Sequence, residues 1–330
     1  MQTIQSHPST AAQPLVSFII PVYNVPDDML RECLESIRQL TLRPYEREII
    51  VVDDGSDVPL TSTLNSELDD VICIRKKNEG LSIARNTGLR MAEGKYIQFL
   101  DGDDKLLSSQ YEHCLDLIRY QNADMVLFDF MREKETNRLT YNDSEPMTGS
   151  QYLRNHNIKG AAWGYIFKRR LLGELRFTPH IFHEDEEFTP LLVLRAERLI
   201  VTDAKAYFYR TRHGSITETH NTRNTLKRLN DAKEVIYSLY DKYDKIPYTE
   251  RLALQRRVAQ LTMDYIYNVI VMTHDRQYLD RRLEELRSKG LFPLPDQNYT
   301  KKYSWFRRMT NSSMGISILM RTLPLMTRER

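Results

Sequence analysis

Two groups of closely spaced aspartates contain side chains that can do chemistry. One is Asp101-Gly-Asp-Asp104 and the other is Asp53-Asp-Gly-Ser56. Carboxylate oxygens are hard ligands that suit Mg²⁺ or Mn²⁺, particularly a cation shared with a diphosphate. The alternative for both groups is structural, because aspartate commonly caps helices and starts turns.

Two further segments carry charge in a suggestive pattern. Gly80–Gly88 predicts the start of a helix whose first amides, with Arg85, suit a phosphate; the alternative is an ordinary helix with an exposed arginine. His183-Glu-Asp-Glu-Glu-Phe188 holds four carboxylates beside a histidine. Such a run is typical of a solvated helix start, and the alternative is that one carboxylate serves as a catalytic base. It is not a zinc-protease arrangement, because no second histidine follows at i+4.

Both aspartate groups follow apolar runs that predict buried strands. These strands are predicted at Leu15–Ile20, Glu48–Val52 and Lys95–Leu100, and helical patterns lie between them. Strands that alternate with helices predict a parallel sheet covered on both faces, with ligands bound beyond the carboxyl ends of the strands. We therefore expect the two groups to line one crevice. From about residue 224 onward the chain has an all-helical pattern.

Composition excludes several classes of protein. Lys+Arg is 47 and Asp+Glu is 45 among 330 residues, a net charge of +2, so we expect no nucleic-acid partner. The 3 scattered cysteines exclude a disulfide scaffold and suit a reducing compartment. We see neither a secretory signal nor an apolar run of the about 20 residues that a membrane helix needs. The prediction is a cytoplasmic protein, with the inner face of the cell membrane as the alternative location.

Several motifs occur together in the order of a known family. They are Val16–Asn24, Val51–Ser56, Asn78–Gly88, Gly94–Asp104, Glu184–Asp185, and Tyr207–Arg210 with Ser215–Thr217. In these motifs the chain resembles a family 2 glycosyltransferase of the GT-A fold, of the type that builds bacterial cell-surface polysaccharide. The resemblance covers roughly residues 14 to 220.

The resemblance implies an α/β fold with a GT-A nucleotide-binding sheet, mostly parallel and Rossmann-like, and a helical C-terminal extension. The predicted organisation has four parts: a flexible leader at 1–13, the glycosyltransferase domain at 14–220, a helical extension at 221–300 and a basic amphipathic tail at 301–330.

It also implies an inverting transfer from a nucleotide-sugar donor to the hydroxyl of a saccharide or lipid-linked acceptor. UDP is the expected carrier, with GDP and dTDP as alternatives. Asp185 would be the general base that takes the proton of the acceptor hydroxyl. Asp103 would hold Mn²⁺ or Mg²⁺, which stabilises the leaving diphosphate. His213 is the expected second metal ligand, and His220 is the alternative.

The remaining site residues carry over position by position. Pro21, Tyr23 and Asn24 would border the base and ribose; Asp53 would hold the nucleoside, with help from Asp54 and Lys77; Arg85 would lie near the diphosphate, Asp101 on the ribose side, and Trp163 under the sugar or acceptor. For Trp163 the alternative is a core tryptophan.

The tail at 301–330 combines seven basic residues with one acid and many apolar side chains. One interpretation is contact with an anionic membrane surface. The other is a terminal helix packed on the helical region with its cations outward.

Two rival functions remain at this point. A sugar-phosphate nucleotidyltransferase would have a glycine-rich loop near the first strand, where this chain has Pro21–Asn24. A catalytically inactive nucleotide-sugar binding or scaffold protein would lack the acidic motifs, which are present. The sequence identifies neither the sugar, the acceptor nor the oligomeric state.

Overall fold

The computed structural model describes residues 13–64, 68–132, 140–211 and 222–327. The chain divides into two compact units. The sheet unit comprises Met1–Thr148, Ala161–His180 and Arg195–Arg212, and the helical unit comprises Gly149–Gly160, Ile181–Leu194 and His213–Arg330. Two segments of the helical unit thus fall inside the predicted 14–220 domain, whose boundary stays a prediction. The predicted leader lies almost wholly outside the described residues.

The sheet unit is built on one eight-stranded sheet. Its strands are β1 (Val16–Val22), β2 (Arg47–Asp53), β3 (Val71–Arg75), β4 (Tyr96–Phe99), β5 (Lys105–Leu106), β6 (Met125–Met131), β7 (Tyr165–Lys168) and β8 (Leu199–Phe208). Their order across the sheet is β3-β2-β1-β4-β7-β6-β8-β5. The first four of these neighbours are parallel, whereas β7 runs antiparallel to both β4 and β6. The predicted parallel sheet is therefore present as one half of a mixed sheet.

Strand β1 lies at the centre of the parallel half. The chain moves outward from β1 to β2 and β3, and then returns to place β4 on the other side of β1. Such a reversal leaves a crevice beyond the carboxyl ends of the strands, where open α/β sheets bind ligands. All seven residues of β1 are buried, as a strand covered on both faces requires.

The helices of this unit are α1 (Asp27–Arg38), α2 (Leu60–Thr63), α3 (Leu81–Met91) and α4 (Ser108–Tyr120). In α1 the buried apolar side chains recur three and four residues apart, at Leu30, Cys33, Leu34 and Ile37. They join a core with the faces of β1 and β2.

The helical unit contains α5 (Gly149–Asn155), α6 (Glu184–Val193), α7 (Thr222–Tyr240), α8 (Tyr248–Thr273), α9 (Arg276–Ser288), α10 (Lys301–Thr310) and α11 (Ser313–Thr327). Its core is formed mainly by α7, α8, α9 and the last two helices. Among the described residues, no helix is both long enough and apolar enough to cross a bilayer.

The described part of the tail is helical and packed. Tyr303 and Phe306 of α10, with Leu319 and Leu323 of α11, are buried in the core of the helical unit. Packing therefore accounts for one side of these two helices. It does not account for the residues on their outer sides.

Candidate active site

The carboxyl ends of β1 and β2 are held side by side. Val22 pairs with Asp53, and the backbone NH of Asp54 donates to the carbonyl of Val22 at 2.8 Å. Asn24 closes the loop after β1: its NH donates to Ser56 Oγ at 3.0 Å and its side-chain amide exchanges two hydrogen bonds with Asp57. The loop after β1 and the Asp53–Ser56 turn after β2 therefore lie side by side.

The three loop residues expected near the base and ribose have different environments. Pro21 is buried within β1, opposite Val52 of β2. Tyr23 is exposed, so its ring is open to a ligand. Asn24 adopts a left-handed conformation (φ 49°), which asparagine tolerates better than most residues.

Asp53 is a buried carboxylate at the end of β2. Its Oδ1 accepts from the NH of Ser56 at 2.8 Å, and its Oδ2 accepts from Arg75 Nη1 at 2.7 Å. The turn that follows requires glycine, because Gly55 has φ +78° and a Cβ there would stand 2.6 Å from the backbone nitrogen of Asn78. The position of the Asp53 carboxylate is thus fixed by its neighbours.

Asp54 organises the approach to α3. Its oxygens accept from the NH groups of Glu79 (3.1 Å) and Gly80 (2.7 Å) and from Lys76 Nζ (2.5 Å). Burial opposes the charge on Lys76, but its hydrogen bonds with Asp54 and Glu79 raise its pKa. Lys77, which was expected with Asp54 to help Asp53 hold the nucleoside, has an exposed side chain; the lysine that contacts Asp54 is Lys76.

Arg85 is buried, so the alternative of an exposed arginine on an ordinary helix is wrong. Its guanidinium lies 6.0 Å from the ring centre of Phe99 and 5.3 Å from that of Phe177. Its Nη2 stands 3.2 Å from Asp101 Oδ1. Asn86 fixes Phe177 through two backbone hydrogen bonds, of 2.8 and 3.0 Å. A cation is therefore held beside the first aspartate of the acidic turn.

The acidic turn Asp101–Asp104 follows β4 directly and is anchored from β8. The hydroxyl of Tyr207 donates to Asp104 Oδ2 at 2.7 Å and accepts from the NH of Asp101 at 3.2 Å. The NH of Arg210 donates to Asp104 Oδ1 at 2.7 Å, and its Nε donates to the carbonyl of Asp103 at 2.9 Å. Asp103 itself is partly buried. The turn is thus shaped before any ligand arrives.

Two carboxyl groups at this turn have pKa values shifted in opposite directions. Burial, reinforced by the negative charge of Asp101, raises the pKa of Asp104 to about 8. Glu32 of α1 shows the opposite: hydrogen bonds from Lys105 (2.8 Å) and Arg210 (3.0 Å) lower its pKa to about 2. Glu32 therefore stays ionised and holds the Arg210 guanidinium against the turn.

Trp163 lies partly buried beside this anchor. Its ring stacks on Tyr207, with ring centres 4.4 Å apart and planes 17° from parallel. Phe130 meets it edge-on at 5.1 Å. Only part of the Trp163 side chain is covered, and the rest is exposed to solvent.

Few of the candidate metal ligands are among the described residues. Within those residues, no group of three or more His, Cys, Asp or Glu side chains is placed to hold an ion. His213 and His220, the two candidate histidine ligands, lie outside the described residues. A cation here would need oxygen ligands from the donor diphosphate beside a carboxylate of the turn.

The predicted base, Asp185, belongs to the helical unit, in the first turn of α6. The chain enters α6 through His183 in a left-handed conformation (φ +65°), which is uncommon outside glycine. Asp185 is partly buried. The helix dipole stabilises an anion at this position, and a base must be ionised to accept a proton.

A buried cation from α8 completes this region. Arg257 forms an ion pair with Glu186, and its Nη1 donates to the carbonyl of Ile158 at 2.9 Å. Burial lowers its pKa to about 10, against the attraction of Asp264 and Asp185. Gly160 lies against the Glu186 side chain: a Cβ there would stand 2.4 Å from the carboxyl carbon, so a larger residue would displace that carboxylate.

Sequence reasoning missed the residues that hold the functional ones. Tyr207 and Arg210 were noted only as part of a family motif, and their alternating pattern gave no sign that they anchor Asp104. Arg257 has one signal, a charge among the apolar positions of α8. That signal does not say which carboxylates it meets.

Comparison with known proteins agrees with the motif order. Residues 17–174 match the profile of Glycosyl transferase family 2. Glycosyltransferase GlyA of Streptococcus pneumoniae is 30% identical over 267 residues, which are 75% of this chain and 38% of that protein. The uncharacterized glycosyltransferase EpsJ of Bacillus subtilis is 32% identical over 229 residues, 62% of this chain and 63% of that protein. The chain thus spans less than two thirds of each.

Two solved structures share the fold. The TarS 1-349 complex with UDP-GlcNAc from S. aureus has a TM-score of 0.63 at 17% identity, covering 96% of this chain and 92% of that one. The mannosyltransferase PcManGT from Pyrobaculum calidifontis, with GDP-Man and Mn²⁺, has a TM-score of 0.55 at 15% identity, covering 96% and 90%. They confirm the expected GT-A fold. The match of residues 17–174 identifies a glycosyl transferase family 2 domain in this chain, and the matched relatives are described as glycosyltransferases.

Proposed function

We propose that the protein transfers a sugar with inversion from a nucleotide-sugar donor, a UDP-sugar, to the hydroxyl of a saccharide or lipid-linked acceptor in polysaccharide or glycan biosynthesis. One observation carries this proposal: the acidic turn Asp101–Asp104 is anchored at the crevice of the sheet by Tyr207 and Arg210, with Arg85 beside it. A shaped, charged turn at a switch point is what a diphosphate-bearing donor needs.

On the donor side, Asp53 contacts the nucleoside, since its carboxylate is oriented by Arg75 and the turn at Ser56. Asp54 helps indirectly by positioning the loop before α3, because its oxygens already accept hydrogen bonds from Glu79, Gly80 and Lys76. Pro21, Tyr23 and Asn24 border the base and ribose, and Trp163 lies under the transferred sugar or the acceptor. Arg85 balances the charge of the diphosphate, with Asp101 on the ribose side.

The donor set fits a divalent cation. Oxygen ligands from one or two carboxylates together with phosphates suit Mg²⁺ or Mn²⁺, and Asp103 of the anchored turn would hold the ion. When bound, such an ion stabilises the negative charge that grows on the leaving diphosphate. His213 stays a prediction as a second ligand, outside the described residues.

On the acceptor side, Asp185 takes the proton of the attacking hydroxyl. A hydroxyl is a weak nucleophile at neutral pH, and a positioned carboxylate is a suitable general base. The ionised state of Asp185 is favoured by its place in the first turn of α6 and by the charge of Arg257. No covalent sugar intermediate is needed, because the acceptor attacks the anomeric carbon directly.

A thermal-shift panel of UDP, GDP, dTDP and CMP, with and without Mn²⁺, tests the donor site. A ligand that binds only the folded state stabilises it by about 2.7 kcal/mol at a concentration of about 100 times Kd. We expect a Mn²⁺-dependent shift with UDP. Asp103→Ala should weaken the Mn²⁺-dependent part about tenfold or more, while Asp116→Ala, an exposed change on α4, leaves it intact.

Each other outcome has a definite meaning. A thermal shift with only a nucleotide other than UDP would change the assignment of the donor but would leave the assignment of the site unchanged. An unchanged Mn²⁺ titration in Asp103→Ala removes Asp103 from metal binding. No shift with any nucleotide, in folded protein, favours the inactive binding or scaffold protein instead.

A further inference from the structure

The outer sides of α10 and α11 carry an ordered set of exposed residues that the helical core does not use. On α10 they are Lys301, Trp305 and Arg308; on α11 they are Met314, Ile318, Arg321 and Leu325. The spacing within each set is three or four residues, so each set forms one stripe along its helix. Both helices bury their opposite sides in the same core. We call these two stripes together the outer face.

The exposed side chains of the outer face are unusually apolar for a water-facing helix surface. Trp305 is 50% exposed, Met314 75%, Ile318 44% and Leu325 63%. Single exposed apolar residues need no explanation, but apolar residues that recur along successive turns indicate an interaction surface.

The charge of this segment has one sign. Residues 301–327 contain five basic side chains and no acid. Two of the cations are balanced, Lys302 by Asp264 at 3.8 Å and Arg307 by Asp296. Across the described part of the chain, the three cations of the outer face, Lys301, Arg308 and Arg321, take part in no ion pair. The face therefore presents apolar groups and unbalanced positive charge together.

A pocket lies where the outer face meets the preceding loop. It has a volume of about 380 Å³. Its walls are formed by Asn298, Thr300, Lys301, Ser304, Trp305 and Arg308. Two cations, two hydroxyls and an indole ring around one pocket offer the groups that bind a phosphate beside an acyl chain.

We propose that the outer face docks on an anionic lipid bilayer, with the apolar residues at the level of the acyl boundary and Lys301, Arg308 and Arg321 among the head groups. Amphipathic helices with cations beside Trp, Leu and Ile lie in the membrane interface in this way. The inference does not depend on glycosyl transfer, because binding needs neither donor nor acceptor. The bilayer contact is peripheral.

Flotation of the full chain with lipid vesicles tests the proposal. Vesicles of phosphatidylcholine alone are compared with vesicles containing 30% phosphatidylglycerol (a chosen composition, on the order of natural anionic content). We expect flotation with the anionic vesicles and loss of it at high salt. Replacing Lys301, Arg308 and Arg321 by Gln should weaken binding about 100-fold, since each cation near the surface contributes about fivefold.

A second variant separates the apolar contribution. Ile318→Ser with Leu325→Ser should abolish flotation, whereas Tyr120→Ser, a change at a still more exposed aromatic residue on α4 of the sheet unit, should not alter it. Unchanged circular dichroism in all variants shows that folding is retained. Absence of flotation by the unaltered chain, or flotation that survives both sets of changes, overturns the proposal. So does a dimer in sedimentation velocity that the same changes dissociate, because the face would then bind a second copy.

Discussion

The acidic turn of the sheet unit and the acidic helix start of the helical unit both hold several carboxylates close together, but by different contacts. At Asp101–Asp104 the backbone direction comes from β4, and Tyr207 and Arg210 of the following β8 region hold the turn. At Glu184–Glu187 the carboxylates project from one helical turn, and two of them meet cations: Glu186 pairs with Arg257 of α8 and Glu187 with Lys242. The turn is fixed mainly by hydrogen bonds, whereas ion pairs contribute to the helix start.

This difference indicates how strongly each region should respond to the loss of one contact. A turn held by several hydrogen bonds loses little when one is removed, because each contributes about 1 kcal/mol net. Arg257 is buried and pairs with Glu186, so its removal costs more than the loss of one hydrogen bond, because the carboxylate loses its charged partner. The three predictions that follow test this contrast.

The largest effect is expected at the proposed base. Asp185→Asn keeps the shape of the side chain and removes its basicity, so turnover should fall about a thousandfold while nucleotide binding stays unchanged. Single-turnover transfer and nucleotide titration measure the two quantities. The matched control is Glu187→Gln, which changes a neighbouring carboxylate that accepts from Ser238. Parallel loss of binding and turnover would refute the assignment.

The next effect is on stability in the helical unit. Arg257→Ala should lower the free energy of unfolding by about 3 kcal/mol, because Glu186 and the carbonyl of Ile158 lose their buried partner. Arg251→Ala, which removes an exposed ion pair from the same helix, should cost less than about 1 kcal/mol. Urea unfolding compares them. Equal losses of unfolding free energy in the two variants would mean that other contacts support the helix start as well as they support the turn.

The third prediction concerns the pH dependence of the sheet unit. The pKa of Asp104 is raised to about 8, so the folded state binds a proton that the unfolded chain releases near pH 4. Stability from Asp104 is therefore full below about pH 4 and is lost as pH rises through about 8. Relative to Asp104→Asn, the unaltered protein should become less stable over this range, measured by urea unfolding in EDTA. A relative gain would show that the hydrogen bonds from Tyr207 and Arg210 keep the carboxylate ionised.

Local pattern was enough to predict the parallel half of the sheet and the turns that follow its strands. The predicted strands Leu15–Ile20 and Glu48–Val52 are largely apolar runs closed by turn residues, and this signal lies within a few positions. The acidic turn was placed correctly for the same reason. Residue type and neighbours along the chain decide such features.

The supporting contacts could not be predicted, because they join residues far apart in sequence. Nothing near Asp104 indicates that Tyr207 will donate to it, and nothing near Glu186 indicates Arg257. The tail was framed as a choice between packing and membrane contact. Its two helices pack on one side and expose the other, so packing leaves the membrane interpretation open.

The stacking of Trp163 on Tyr207 has a spectroscopic consequence. The chain has 2 tryptophans, one in each unit: Trp163 next to the acidic turn and Trp305, half exposed, on the outer face. Replacing Trp305 by Phe leaves an emission that reports ligand arrival beside Tyr207. Replacing Trp163 by Phe leaves an emission that shifts to the blue when the tail enters an apolar phase. The two tryptophans can thus be measured separately, one beside the acidic turn and one on the outer face.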